Sequence, residues 1–284
     1  MDRPAWRINR LTKQGNMRRI MLTVAYDGTG YNGWQIQPDV PTIEGVLDAE
    51  LSRLLGEDIR VIGASRTDAG VHAEGAIAVF DTSSKIPGDK FSYALNQSLP
   101  DDIVIRSSCE VAPDFHPRKI SCKKTYRYSI WNEEFPLPTN SRYTHRVYLQ
   151  LDLEAIRSAA VHFKGEHDFA GFCSAAADVD STVRTIYDIK IEAEDDHIRA
   201  DGTQIGKSRT GYDGRIYHGK IDIYVTGNGF LYNMVRIIAG TLIDVGTGKT
   251  APEDIPGIIR SGDRNRAGDT APAKGLTLVG YEFS

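Results

Sequence analysis

Gly63-Ala64-Ser65-Arg66-Thr67-Asp68-Ala69-Gly70-Val71-His72-Ala73 sets one acid among small residues, with an arginine two positions before it and a histidine four after. Small neighbours let a bulky planar ligand approach the carboxylate. A strand expected over Ile59–Ala64 runs into the loop at Ser65–Gly70, and another expected over Ala76–Phe80 follows it, so the acid sits on a rigid support. Taken alone, Asp-Ala-Gly reads more simply as a turn whose aspartate bonds backbone amides.

Strands and helices continue on both sides of this stretch. Ile20, Leu22, Val24 and Tyr26 alternate with Met21, Thr23 and Ala25, as in a strand. Thr42 caps a helix with Glu44 in its first turn, an apolar face of Ile43, Val46, Leu47, Leu51, Leu54 and Leu55, and Gly56 at its end. A short helix is expected over Phe91–Leu99, a strand over Ile103–Cys109, and another over Cys122–Trp131 with Tyr126, Tyr128 and Ile130 on one face. The second half repeats this order. Leu153–Phe163 reads as a helix and Arg184–Ala193 as a strand with Tyr187, Ile189 and Ile191 on one side. Lys220–Val225 is a strand, Phe230–Val245 a helix and Leu276–Phe283 a closing strand. The class is α+β or α/β, and two similar lobes are suggested, although the halves show no direct sequence repeat. Residues 1–17 read as a tail, with Met17 as an alternative start, and the polar, glycine-rich segment at about 195–219 as an inserted hairpin or loop.

The chain has 284 residues, enough for roughly two domains. With 40% hydrophobic and 25% charged residues it is neither a disordered tail, a coiled coil nor a collagen-like repeat. Its longest apolar stretch, Phe230–Val245, is broken by Arg236 and Asp244 and is too short to span a bilayer. The first residues carry no apolar leader core, so no secretory signal is expected. Cys109, Cys122 and Cys173 form no CxxC, which points to a reducing compartment without disulfides or a zinc site.

The net charge of −4 means that nucleic acid, if bound, meets a local basic patch. Residues 1–20 hold Arg3, Arg7, Arg10, Lys13, Arg18 and Arg19 against Asp2. Residues 115–132 hold Arg118, Lys119, Lys123, Lys124 and Arg127, interleaved with Tyr126, Tyr128 and Trp131. Such mixtures suit phosphate contact with base stacking. On composition alone a solvated strand face is the simpler reading.

Two glycine patterns lead elsewhere. Gly28-Thr29-Gly30-Tyr31-Asn32-Gly33 is a literal GxGxxG after a strand, but Pro38 and Pro41 delay the helix that a dinucleotide site requires at once. Gly246-Thr247-Gly248-Lys249-Thr250 resembles the end of a P-loop, yet Ile243 stands where its first glycine belongs. A helix C-terminal cap is the better reading. Neither H-E-x-x-H nor G-x-S-x-G is present, so metal and acyl-enzyme chemistry lack support.

The Gly63–Ala73 segment resembles the signature of the TruA family of tRNA pseudouridine synthases, and further stretches extend the likeness in order over residues 18–283. Tyr26-Asp27-Gly28 with Tyr31, Gly33, Trp34, Gln35 and Gln37 is similar to the family's first motif. Ala94-Leu95-Asn96, with Leu99-Pro100 and Asp102-Ile103, resembles another. Lys124-Thr125-Tyr126-Arg127-Tyr128 resembles its tyrosine strand. His167-Asp168-Phe169, Thr182–Ile186, Gly227–Arg236 and Ala271–Leu276 match the second half. The tail and the longer segment at 195–219 depart from the pattern.

The resemblance implies an α+β pseudouridine synthase fold of two similar lobes, each a mostly antiparallel sheet with helices on one face, with a cleft between them. Residues 18–120 form the catalytic lobe and 121–284 the second. It implies an isomerase that converts uridine to pseudouridine in tRNA at positions 38, 39 and 40 of the anticodon arm. Neither cofactor nor metal is needed, no membrane is involved, and the enzyme is a cytoplasmic homodimer. The target base is flipped into a pocket. Asp68 matches the catalytic aspartate; its carboxylate attacks the nucleoside or acts as a base toward the ribose, and both stay open. Tyr126 matches the tyrosine that packs on the flipped base. Arg66 contacts the target's phosphate or fills the gap left by the base.

Arg236 has support of its own. Its helix is apolar on nearly every side, and Asn233, Arg236 and Gly240 form a narrow polar stripe. A buried arginine needs an anion, and the resemblance supplies Asp68, kept ionised by that neighbour. A non-catalytic RNA-binding protein is the alternative from another class, and a nicotinamide dehydrogenase a more distant one.

Overall fold

The computed structural model describes residues 17–174, 180–194, 209–212 and 214–283. The expected tail, apart from Met17, and most of the insertion expected at 195–219 lie outside the described residues. The chain order is β1 Arg18–Tyr26, α1 Ile43–Leu55, β2 Ile62–Gly63, β3 His72–Thr82, α2 Phe91–Leu95, β4 Ile103–Val111, β5 Cys122–Asn132, β6 His145–Val147, α3 Leu153–Ala160, β7 Gly165–Asp168, β8 Val183–Ala193, β9 Arg209–Thr210, β10 Ile216–Tyr217, β11 Gly219–Gly227, α4 Met234–Gly246, α5 Ile255–Ser261 and β12 Leu276–Phe283. It divides into one compact unit of residues 1–122 with 278–284 and a second of residues 123–277.

In the first unit the strands run β4–β1–β3–β12, with β2 beside β3. β1 is antiparallel to both β3 and β4. Register pairs Ile20 with Phe80 and Leu22 with Ala78 on one face, and Met21 with Val79 on the other. Both faces are buried. Phe80 meets Phe91 of α2 edge-on, with ring centroids 5.3 Å apart. On the opposite face Met21, Ile77, Val79, Val111 and Phe115 form a second apolar cluster. The unbroken apolar run at the centre of β3 follows from this, because a strand covered on both sides does not alternate.

α1 ends as its sequence dictates. Thr42 accepts from the Gly45 N–H, and Gly56 closes the helix in the left-handed region with φ 66°. The strand expected over Ile59–Ala64 shrinks to β2 because α1 side chains take its amides. Ile59 N–H donates to Ser52 Oγ at 3.0 Å and Val61 N–H to the buried Asp48 carboxylate at 2.7 Å. α2 stops at Leu95 rather than Leu99, since Asn96 turns to exchange two hydrogen bonds with the Ile105 backbone.

In the second unit the order is β5–β11–β8–β7, with β6 parallel to β5 and the other pairs antiparallel. Burial alternates along β11, with Ile221, Ile223 and Val225 facing the core. α3 packs on β8 and α4. Tyr187 is 45% exposed, not grouped with Ile189 as its spacing suggests. A bulge causes this: Thr226 faces Asp188 while Gly227 faces Ile186, so Tyr187 is the extra residue. α4 starts at Met234, four residues later than expected, because Asn233 lies at φ 61° and no right-handed helix accommodates that. The Gly246–Gly248 stretch is the cap of α4, with Thr247 N–H on Ile243 O. The architecture is α+β. Among the described residues no helix is long and apolar enough to cross a membrane.

Burial pushes the Asp48 carboxyl above its ordinary range, against the opposing pull of Val61 N–H and Arg60. A raised folded pKa means that the folded state holds the proton more tightly than the unfolded chain. The contribution is therefore fully present below the ordinary value of about 3.9 and is lost as pH rises through the folded value. Asp48→Asn keeps an acceptor for Val61 and is expected to flatten this dependence in urea titrations across that window. Asp48→Ala leaves the amide without its acceptor and is expected to cost about 1–3 kcal/mol. Equal stability of wild type and Asp48→Ala would contradict this account.

Candidate active site

Asp68 lies in the loop that enters β3, and the stretch following β1 holds that loop. The two meet backbone to backbone. Trp34 N–H donates to Thr67 O at 3.0 Å, and Gly70 N–H donates to Tyr31 O at 3.2 Å. Val71 N–H donates to Asp68 O at 3.1 Å, which closes the turn. Gly28 N–H donates to Nδ1 of the buried His72 at 3.1 Å, and Asp27 Oδ1 lies 3.2 Å from the same nitrogen.

Glycine is required where these segments cross. A methyl group on Gly28 would stand 2.0 Å from Val71 O. One on Gly33, whose φ is +87°, would stand 2.4 Å from Thr67 O. Gly63, at the loop's start, lies so close to the Trp34 ring that its methyl would meet Nε1 at 2.4 Å. The GxGxxG pattern thus seats the Asp68 loop. It opens no α-helix: residues 28–30 make a single 3-10 turn, and α1 begins only at Ile43.

Side chains complete the loop. The Tyr26 hydroxyl and Thr67 Oγ1 are 2.7 Å apart. Desolvation raises the Tyr26 pKa well above the usual range, so its hydroxyl stays neutral. Asp68 is half-buried and Arg66 exposed. Among the described residues no acid pairs with Arg66, which leaves its guanidinium able to meet a phosphate. Arg118, from the basic stretch, donates to Gly63 O at 2.8 Å and so braces the loop's entry.

The second unit carries the other two expected site residues. Tyr126 on β5 is buried, pairs with Val225 of β11, and meets the Phe230 ring edge-on at 5.2 Å. Arg236 on α4 is half-buried. Its Nε donates to Ala271 O at 2.7 Å and its Nη1 to Asn233 Oδ1 at 2.6 Å. Asn233 in turn donates to Ser174 Oγ. The guanidinium is therefore aimed by fixed partners on two edges. Gly240, one turn further on, lets the segment at Asp269 lie against α4: a methyl there would stand 1.9 Å from Asp269 O. The polar stripe read from the sequence thus has a steric member as well as two polar ones.

Arg66 and Asp68 share one loop of the first unit, whereas Tyr126 and Arg236 belong to the second. The pairing of Asp68 with Arg236 stays a proposal. Sequence reasoning missed Tyr26, Thr67 and Asn233 as supports. Their signal lay in the motifs: Tyr26 opens the first, Thr67 precedes Asp68, and Asn233 is three residues before Arg236. Among the described residues no group of three or more His, Cys, Asp or Glu side chains is placed to hold a metal ion.

A family model described as tRNA pseudouridine synthase matches residues 22–118 and 159–284. A tRNA pseudouridine synthase A of Ruminiclostridium cellulolyticum is 49% identical over 263 residues, covering 93% of this chain and 98% of the relative. Proteins of the same name from Acetivibrio thermocellus and Brevibacillus brevis are each 46% identical, over 93% and 92% of this chain and 98% of their own length.

The crossing of residues 27–34 with the Asp68 loop gives a test by paired alanines. Gly33→Ala meets both a positive φ and a carbonyl oxygen, and is expected to lower stability by roughly 2 kcal/mol or more in thermal denaturation. Gly30→Ala, which meets nothing within 4 Å, is expected to stay within about 0.5 kcal/mol of wild type.

Proposed function

We propose that this chain, which belongs to the tRNA pseudouridine synthase family and is an isomerase, converts uridine to pseudouridine in the anticodon arm of tRNA, at positions 38, 39 and 40. The reading rests on family membership together with one observation. The small-residue loop bearing Asp68 is clamped to the sheet through backbone contacts that admit only glycine at positions 28 and 33.

The reaction rearranges bonds within one nucleotide. The N1–C1′ bond breaks, the uracil turns, C5 bonds to C1′, the C5 proton leaves to solvent and N1 gains a proton. No net oxidation occurs, so no redox partner is consumed. Asp68 supplies the carboxylate, either as the nucleophile that holds C1′ while the base turns or as the base that acts on the ribose. Arg236, held by Asn233 and the Ala271 carbonyl, is by the family resemblance the counter-charge that keeps the carboxylate ionised. Tyr126, steadied edge-on by Phe230, stacks on the flipped uracil, and its hydroxyl helps remove the C5 proton. Arg66 meets the phosphate of the target nucleotide or the gap its base leaves. The enzyme works as a cytoplasmic homodimer on a tRNA held by phosphate contacts, so binding weakens as salt rises.

The test uses tRNA tritiated at uridine C5. Wild-type protein is expected to release tritium to water without added cofactor. Asp68→Asn is expected to release none, while its tRNA affinity changes by less than about tenfold, roughly 1.4 kcal/mol. Arg236→Met is expected to be crippled, and Tyr126→Phe to bind normally. Substantial turnover by Asp68→Asn would refute the assigned chemistry. Light scattering is expected to give about twice the chain mass of 31.4 kDa.

A further inference from the structure

Across residues 65–70, the loop that bears Asp68, the one buried side chain is Thr67. Ser65, Asp68 and Gly70 are half-buried, and Arg66 and Ala69 are exposed. A loop of small and exposed residues has no apolar anchor of its own. Polar contacts hold it instead: Gly70 N–H on Tyr31 O secures its far end, and what holds Thr67 fixes the residue next to the carboxylate. Two groups do so. Trp34 N–H fixes the Thr67 carbonyl at 3.0 Å, and the Tyr26 hydroxyl fixes the Thr67 side chain at 2.7 Å in a fully buried contact. Both Thr67 and Tyr26 are shielded from water, at 7% and 5% exposure, so no solvent molecule takes over when either hydroxyl is lost.

Tyr26 is itself rigidly placed. It ends β1, and its ring is 6.2 Å from that of Trp34, which is 1% exposed. The register between β1 and β3 shifts just before it: Val24 faces Ala76, but Tyr26 faces Ala73. The extra residue on β3 twists the strands locally and re-aims the side chains around it, as such bulges do beside active sites. The phenol stays neutral because desolvation raises its pKa, so the hydroxyl pair persists over the whole working pH range.

We propose that Tyr26 and Thr67 are positioning residues: their buried hydroxyl pair ties the Asp68 loop to the sheet and sets where the carboxylate stands for the chemical step. The proposal rests on the reading of Asp68 as the catalytic carboxylate. Neither residue needs to touch the substrate. A misplacement of about 1 Å by loss of such a support is enough to slow chemistry on the order of a hundredfold while leaving binding intact.

The test measures single-turnover tritium release at saturating tRNA with the full chain, alongside filter binding and thermal denaturation. Tyr26→Phe and the near-isosteric Thr67→Val each break the pair and are expected to lower the rate constant about ten- to a hundredfold, with tRNA affinity within threefold of wild type. The double variant is expected to be no slower than the worse single one, because both remove the same contact. Thr67→Ser restores a hydroxyl and is expected to recover the rate to within about threefold of wild type. A purely structural role predicts lower melting temperatures with wild-type rates per folded molecule, and that result would overturn the proposal. So would equal slowing in Thr67→Ser and Thr67→Val. If Tyr26→Phe fails to fold, Thr67→Val carries the measurement alone. Asp68→Asn run in parallel separates the two claims. If it is inactive while Tyr26→Phe and Thr67→Val keep full rate, only the positioning role falls. If Asp68→Asn itself keeps full rate, the catalytic assignment falls and takes this proposal with it.

Discussion

Direct packing of one backbone stretch on another governs the first unit. Residues 27–34 lie against residues 67–71 with no side chain between them, at distances that a single methyl group would violate. Hydrogen bonds then run both ways across the contact, from Trp34 to Thr67 and from Gly70 to Tyr31. Hydrogen-bond lengths are far less adjustable than contacts between flexible side chains. The loop thus inherits the position of β1, which β3 and β4 hold on either side. A charged group carried on such a loop needs no large side chains of the loop to hold it.

The second unit uses the same device for its own charged residue. Gly240 and Gly268 bring the segment at 267–271 onto α4, with prospective methyl groups 1.9 Å and 2.6 Å from opposing backbone atoms. Ala271 N–H donates to Arg236 O, Arg236 Nε donates back to Ala271 O, and Gly268 N–H donates to Thr241 Oγ1. An aspartate loop on a strand end and an arginine on a helix are thereby fixed by glycine-permitted backbone contact. In each case the backbone supplies the support, through contacts that leave no room for a Cβ.

Much of this was legible in the sequence because it depends on local patterns. The α1 caps at Thr42 and Gly56, the alternation of β1 and β11, and the helical spacing before Gly246 are visible without tertiary knowledge. Arg66, Asp68 and Tyr126 were found through family motifs, Arg236 also through the polar stripe of its helix, and the roles of all four remain a proposal. Features set by distant partners were not legible. Nothing in the spacing of α1 singles out Asp48, yet it replaces a strand partner for Val61. Tyr187 was assigned to the wrong face because a single-residue bulge is invisible in spacing. The αL turn at Asn233 delayed α4, and nothing in an apolar run announces a positive φ on asparagine. The glycines at 28 and 33 stood out in a pattern, but the backbone they pack against lies some forty residues away.

The path of the chain between the units orders events during synthesis. The first unit is left at residue 122 and completed only from residue 278, where β12 supplies the strand beside β3. The whole second unit is translated in between. It is one continuous stretch and is free to fold as soon as it has emerged, whereas the sheet beneath the Asp68 loop lacks its last strand until then. Until β12 arrives, the edge of β3 away from β1 is covered only by the two residues of β2, and an apolar edge left partly open is the kind of surface that recruits strands from other chains. The first unit, although encoded first, is therefore the last to be completed.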